Sequence, residues 1–502
     1  MFVFGGRGSL FSEGSSFIVS TICALILGYV IRLVFFHPLR HFKGPFWAKI
    51  NPFWHVIVLQ TGQRHKKLRK LHDQYGDVVR ICPNAVSICN ASAIKDVFGP
   101  ASSLVKSKAY DALGDDPSNR SISRIRDKSV HLQLRKALAP AFSTQSLDKM
   151  EHLVSHNLDL LCNGLLKFGG NGRIPLNLTL WTSFLTFDVL GDLCFTESYG
   201  LLEGGRMAPI LECTTATLRF GGFAMASPFL ASLKKYLAPK DFVEKLVRFK
   251  SDCAMRIEKR LLNPAGREDF IHYLLAYADA AATAEDRKGR LTATTETLVL
   301  AGTDTTATIL CAAISYLSIC PRVLSKLREA LDALVDLDMT NARLSEIPLL
   351  DAIIDETLRI CPPLLTSTPR DTTCATYIAE YLIPSNIEVI IPTWAICHDA
   401  RYFTEPEEWI PERWIDKDYI KDQTLGRTAW QPFSLGPRAC IGKNMAYIVL
   451  RLSIARLVRS FDFELAKPVR SYEVEDFVAA QRPELFARVR SRSHSLLGLS
   501  VI

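Results

Sequence analysis

The chain has 502 residues, of which 48% are hydrophobic and 22% charged, with a net charge of +8. That composition supports a large buried core, and the mild basic excess, never interleaved with aromatics in one patch, gives no nucleic-acid surface. Thirteen cysteines are scattered without a C-x-x-C pair, which excludes a zinc ribbon, a thioredoxin-type site and a secreted disulfide framework.

The first predicted element is apolar. Phe17–Phe36 reads FIVSTICALILGYVIRLVFF, and a helix of that length crosses roughly 30 Å, the thickness of a bilayer core. It lacks the short apolar run and small-residue cleavage site of a signal peptide. Only Arg7 and Glu13 precede it, whereas Arg32, Arg40, Lys43 and Lys49 end or follow it, so the positive-inside rule keeps the following chain cytosolic. Residues 1–16 are then a short lumenal segment. Pro38, Pro45 and Pro52 stiffen a hinge over 37–54, since each fixes φ and removes a donor. Sequons at Asn90, Asn119 and Asn177 are expected to be unmodified on the cytosolic side.

From residue 55 to 502 there is no repeat, low-complexity linker or charge block, which predicts one domain. Apolar spacings of three and four predict helices in Val130–Phe142, Leu180–Phe195, Val243–Leu262, Thr297–Ile319 and Asp351–Arg359. Short strands are predicted at Val78–Cys82 and Ala85–Ile88 around Pro83-Asn84, and at Glu388–Ile391 after a turn. The fold class is mainly α with a small β region.

Chemistry concentrates in a few stretches. AGTDTT at 301–306 sets glycine and threonines inside an apolar helical run, a local cost that calls for a reason. ETLR at 356–359 puts Glu356 and Arg359 one turn apart, which alone is no more than an exposed ion pair. PERW follows at 411–414. FSLGPRACIG at 433–442 places Gly436 and Gly442 on either side of Cys440 and Arg438 two residues before it, with a helix starting just after. Tight glycine turns, a nearby cation and a helix N-terminus all favour a thiolate. A buried inert thiol is the ordinary fate of a single cysteine. Here Phe433, Gly436, Arg438, Cys440 and Gly442 together spell F-x-x-G-x-R-x-C-x-G, which resembles the haem-ligand loop of the cytochrome P-450 family.

The resemblance runs through nearly the whole chain, and YGDVVRICPN at 75–84 and DVLGDLCF at 188–195 look most like the fungal-type microsomal branch. It implies a cytochrome P-450 fold behind a single transmembrane helix, with haem b as cofactor and Cys440 as axial ligand of its iron. It implies that Ala301 and Gly302 leave room for O2, that Thr305 hydrogen-bonds the oxygen under activation, and that Asp304 relays protons inward. His131 and Arg135 in HLQLR, Arg370 in STPR and Arg438 would hold the propionates, although the family more often has tryptophan at the His131 position. Glu356, Arg359 and Arg413 would form a structural brace behind the ligand loop.

The function implied is a monooxygenase of the endoplasmic reticulum membrane. It would act on a small apolar substrate in terpenoid, polyketide or alkaloid tailoring, with electrons from NADPH through a separate reductase. GGRGS at the N-terminus follows no strand and is no phosphate loop. His65, Lys66, Lys67, Arg69, Lys70 and Lys443 could steer an acidic reductase or form a plain solvated face. Substrate contacts are expected from Lys106–Lys128, Leu218–Leu230, Leu364–Thr368 and Val474–Ala480.

The segment before Ala301 is shorter than the family's usual one by ~5 residues, which predicts a central helix cut short by about one and a half turns. Two other readings stand beside the oxygenase: an O2-independent haem-thiolate isomerase or dehydratase, against which Asp304-Thr305 argues, and a catalytically silent membrane-bound haem- or lipid-binding protein.

Overall fold

The computed structural model describes residues 8–113, 121–207, 211, 220–222, 225, 236, 238–262, 269–279, 283–335 and 339–492. Among these, three helices are long and apolar enough to cross a membrane. Leu178–Phe195 and Ala284–Ile319 are mostly buried in protein, whereas Phe17–Phe36 is only 6% buried, so its apolar side chains have no protein to cover them.

The connector that follows is not a free tether. Leu39 and Phe42 are buried in a cluster with Val78, Val86 and Val389. Arg80, completely buried, donates to the carbonyls of Leu33 at 3.0 Å, Lys49 at 3.4 Å and Pro83 at 2.9 Å. Its backbone N–H donates to Lys43 O at 2.8 Å. A guanidinium held by carbonyls alone sits in poor solvation, and burial pushes its pKa down to about 10.

The helical body is built around one helix, Ala284–Ile319, packed most extensively against Leu178–Phe195. Leu178–Phe195 is apolar on every face and buried almost throughout, as an interior helix must be. The central helix extends well before Ala301. It runs 36 residues, because the polar stretch from Ala284 to Arg290 joins it behind a Thr283 cap that accepts from Asp286 N–H. AGTDTT does not break it either. Thr303, Thr305 and Thr308 donate to the carbonyls of Val299, Ala301 and Asp304 at 2.7–2.9 Å, which keeps their hydroxyls satisfied inside the helix.

The predicted strands Val78–Cys82 and Ala85–Ile88 form as an antiparallel pair, and Glu388–Ile390 runs parallel to the second. Two two-residue strands, Arg370–Asp371 and Val105–Lys106, complete a five-stranded sheet beyond it. Their register sets Lys106 directly opposite Arg370.

Two sequons carry structural work. Asn90 and Asn177 accept the first N–H groups of their helices, and their amide nitrogens donate to Asp77 and Glu484. Asn119 lies outside the described residues.

Candidate active site

The loop before the helix Lys443–Ser460 is shaped by its own backbone. Ser434 and Gly436 take φ of +59° and +69°, and a Cβ on Gly436 would meet Phe98 O at 2.3 Å. The turn brings Cys440 N–H to Phe433 O at 2.8 Å and opens the Cys440 thiol on a cavity of about 280 Å³. Gly442 differs from the sequence reading, since its φ of −85° is open to any residue. Its missing Cβ instead leaves space 3.9 Å from Cys440 Sγ and from the Phe142 ring.

Two of the features expected to favour a thiolate, a backbone N–H and a nearby cation, reach Cys440 from Gly442 and Arg135. Burial pushes the Cys440 thiol up, and the Gly442 N–H and the Arg135 charge oppose this without reversing it.

One end of the cavity is lined by Lys106, Arg135, Arg370 and Arg438, with His131 beside them. Arg135 donates to Ala439 O at 2.7 Å, and Arg438 donates to Ile125 O at 2.7 Å and Arg126 O at 2.8 Å. Arg370 donates to Thr368 Oγ1 at 3.0 Å and to the carbonyls of Thr368 and Pro369. None of the four has a carboxylate within 4 Å among the described residues. Buried like charges directly opposite on a sheet, as Lys106 and Arg370 are, cost free energy unless an anion lies between them. Burial, then Arg370 and Arg438, pushes the Lys106 ammonium well down; burial and the surrounding cations push His131 down to about 4, leaving a neutral imidazole. Lys106 was expected only as the edge of a substrate-contact stretch and not as part of the basic group, because VKSK carries no motif.

The opposite wall is the central helix. Ala301 and Thr305 line the cavity, with Thr297, Leu298 and Thr306. Gly302 serves packing: a Cβ there would strike Leu190 Cδ1 at 2.7 Å, so it leaves room for a side chain of the neighbouring helix as well as edging the cavity. Asp304 does not line the cavity. It is buried behind the helix, where Arg482 Nη2 donates to it at 2.9 Å and to Ser183 Oγ at 3.0 Å. Arg482 stands alone in sequence, and nothing there points to it.

Thr186, Val189, Leu190 and Phe270 also line the cavity without having been predicted, because uniformly apolar helices do not disclose which face looks inward. Of the expected substrate stretches, Lys106, Ile122, Ser123 and Thr368 reach this cavity. Gly222, Met225, Leu364, Thr366 and Val478 reach a smaller one beside it, and most of 218–230 lies outside the described residues.

Glu356, Arg359 and Arg413 meet in full burial. Glu356 accepts from Arg359 Nε and Nη2 at 2.9 and 2.8 Å, from Arg413 Nε at 3.0 Å, from Ile410 N–H and from Trp414 Nε1. Asp422 also pairs with Arg413. The basic run 65–70 is less free than its sequence suggests. His65 is buried, Lys66 pairs with Glu473, and Arg69 pairs with Glu407, leaving Lys67 and Lys70 exposed.

The trichothecene C-15 hydroxylase of Fusarium sporotrichioides is 31% identical over 92% of this chain and 95% of its own length. The cytochrome P-450 monooxygenase ORF9 of Penicillium roqueforti is 31% identical over 96% of this chain and 95% of its own. The monooxygenase astJ of Aspergillus oryzae is 31% identical over 87% and 88%. The Cytochrome P-450 family model matches residues 45–486, and with that match over the cavity, its cationic end and its cysteine loop, the chain belongs to the cytochrome P-450 family of monooxygenases.

Proposed function

We propose that Cys440 is the axial ligand of the family's haem b in the large cavity, and that the chain inserts one oxygen atom from O2 into a small apolar substrate. The carrying observation is that the thiol, four basic side chains without carboxylate partners among the described residues, and an apolar wall bearing Thr305 open on one space. The residues suit the group: two propionates supply the anions that Lys106, Arg135, Arg370 and Arg438 lack, and the gap at Gly442 keeps the sulfur approachable. When bound, the haem supplies oxygen activation, for which the thiolate's electron donation is suited.

Every other part belongs to the chain. Gly436 shapes the turn that presents the sulfur, and Phe433 lines the cavity next to it. Ala301 leaves space on the opposite wall, and Thr305 holds a hydroxyl there whose proton now rests on Ala301 O. Asp304 is the proton relay behind the helix, held as a carboxylate by Arg482, and must leave that pair and take up a proton before it can pass one inward. His131 adds a neutral hydrogen-bonding group at the cationic end, and Glu356, Arg359 and Arg413 hold the scaffold behind the loop.

Residues 17–36 anchor the chain in the endoplasmic reticulum membrane, with 1–16 lumenal, 37–54 a connector and 55–502 the cytosolic catalytic domain. Electrons come from an NADPH-dependent reductase. Relatives that include an enzyme named for hydroxylating a trichothecene favour a tailoring step in secondary-metabolite biosynthesis. The test is the reduced, carbon-monoxide-bound protein. The strongly red-shifted Soret band of a thiolate adduct is expected in the full chain and lost in Cys440→Ser, and a normal chain without that band overturns the reading. With reductase and NADPH, oxygen uptake should match hydroxylated product.

A further inference from the structure

Beside the large cavity lies a smaller one of about 80 Å³, and Thr368 lines both. Its wall is largely apolar, from Leu59, Ile81, Leu364, Ile390 and Val478. Two polar groups in it are placed as no packing role requires.

His55, on the helix Phe53–Gln60, makes no side-chain hydrogen bond with any described residue. Burial, and then Arg64, pushes its ring down to about 4, so it presents one N–H and one bare nitrogen. Glu388 opens the strand Glu388–Ile390, and its carboxyl accepts from Ser107 Oγ at 2.5 Å. No cation lies within 4 Å of it among the described residues, and burial pushes it up to about 7. Arg64 lines the same space but is committed, donating to both oxygens of Asp476 at 3.0 and 2.6 Å and to Thr366.

Resting on the proposed placement of haem in the larger cavity, we infer that this lobe recognises a neutral alcohol, His55 and Glu388 gripping a hydroxyl at the end of the substrate remote from the oxidised carbon. A carboxylate would lie against Glu388 and find the one nearby guanidinium already neutralised. An ammonium group would have to lie beside that guanidinium, a like charge. A hydroxyl gives one proton and takes another, which matches two groups that each do the same. The space holds a head group and no second ring system, so the apolar body stays in the larger cavity.

The test titrates n-octanol, n-octane and octanoate into the haem-loaded full chain in nanodiscs, following the Soret shift. Dividing the octanol-to-octane ratio of dissociation constants in wild type by that in a variant cancels partition into lipid. Glu388→Leu and His55→Phe are each expected to cut the preference for octanol about tenfold while leaving the carbon-monoxide band intact. Glu388→Gln, which still donates and accepts, should retain most of it. An unchanged preference in both variants overturns the inference, as does a wild type that binds octanoate as tightly as octanol. Loss of the carbon-monoxide band in wild type would sink the haem reading instead, and the same titrations by calorimetry would still judge the lobe.

Discussion

A methyl group at position 436 would have to occupy the place of the Phe98 carbonyl oxygen, 2.3 Å away, at a φ that already disfavours it. Gly436→Ala is therefore expected to yield protein that folds around its helices but retains no haem, seen as normal far-UV circular dichroism without the carbon-monoxide band. His65 makes a different prediction. It is buried with Nδ1 unpartnered and its ring edge-on to Trp394 at 4.9 Å, and burial pushes it down to about 4. A lowered histidine contributes stability above its unfolded value near 6.5 and loses it as pH falls through about 4. Replacing it with phenylalanine should remove that component, worth on the order of 3 kcal/mol across the window. Unfolding midpoints of the two proteins between pH 7.5 and 4, in that order, should diverge toward acid. At this scale a spaced motif in the sequence names Cys440 and Arg438, and both line the cavity. The basic role of Lys106 and the pairing of Arg482 were invisible, because they arise from a two-residue strand and from segments 178 residues apart that meet only in three dimensions.

Elements were more legible than their limits. Every predicted helix and strand exists, since an amphipathic period survives without knowledge of neighbours. The central helix was read as beginning at Thr297 because its first turns are polar, and a helix that borders a protein surface carries no apolar stripe there to betray it. The pairing of Glu356 with Arg359 was legible from spacing alone, but its weight was not, because only burial turns a surface pair into a junction of four elements. Burial alone would raise the Glu356 carboxyl; Arg359, followed by Arg413 and the Ile410 N–H, holds it below the usual range instead. Glu356→Gln leaves two fully buried guanidinium groups short of their counter-charge, at a cost of roughly 3–5 kcal/mol. It should lower the temperature of haem release sharply, whereas Arg343→Gln, which breaks an exposed pair with Glu346, should leave it unmoved.

For the whole molecule, composition marks an apolar span at Phe17–Phe36, while the way the chain after it is held was not legible. The prolines predicted a stiff link; the structure adds that the link is welded by Arg80 to the first strand of the sheet. Arg80→Met would leave the Leu33, Lys49 and Pro83 carbonyls without their donor, and limited proteolysis should then cut between residues 37 and 54 where wild type resists.

A weld of this kind has a mechanical consequence. A span longer or shorter than the surrounding lipid adjusts by tilting. With no slack between span and sheet, the tilt passes to the strands that carry Glu388 and Arg370. Bilayer thickness thus becomes a setting on ligand affinity, one that nanodiscs of short- and long-chain lipids should turn in wild type and fail to turn once position 80 is methionine.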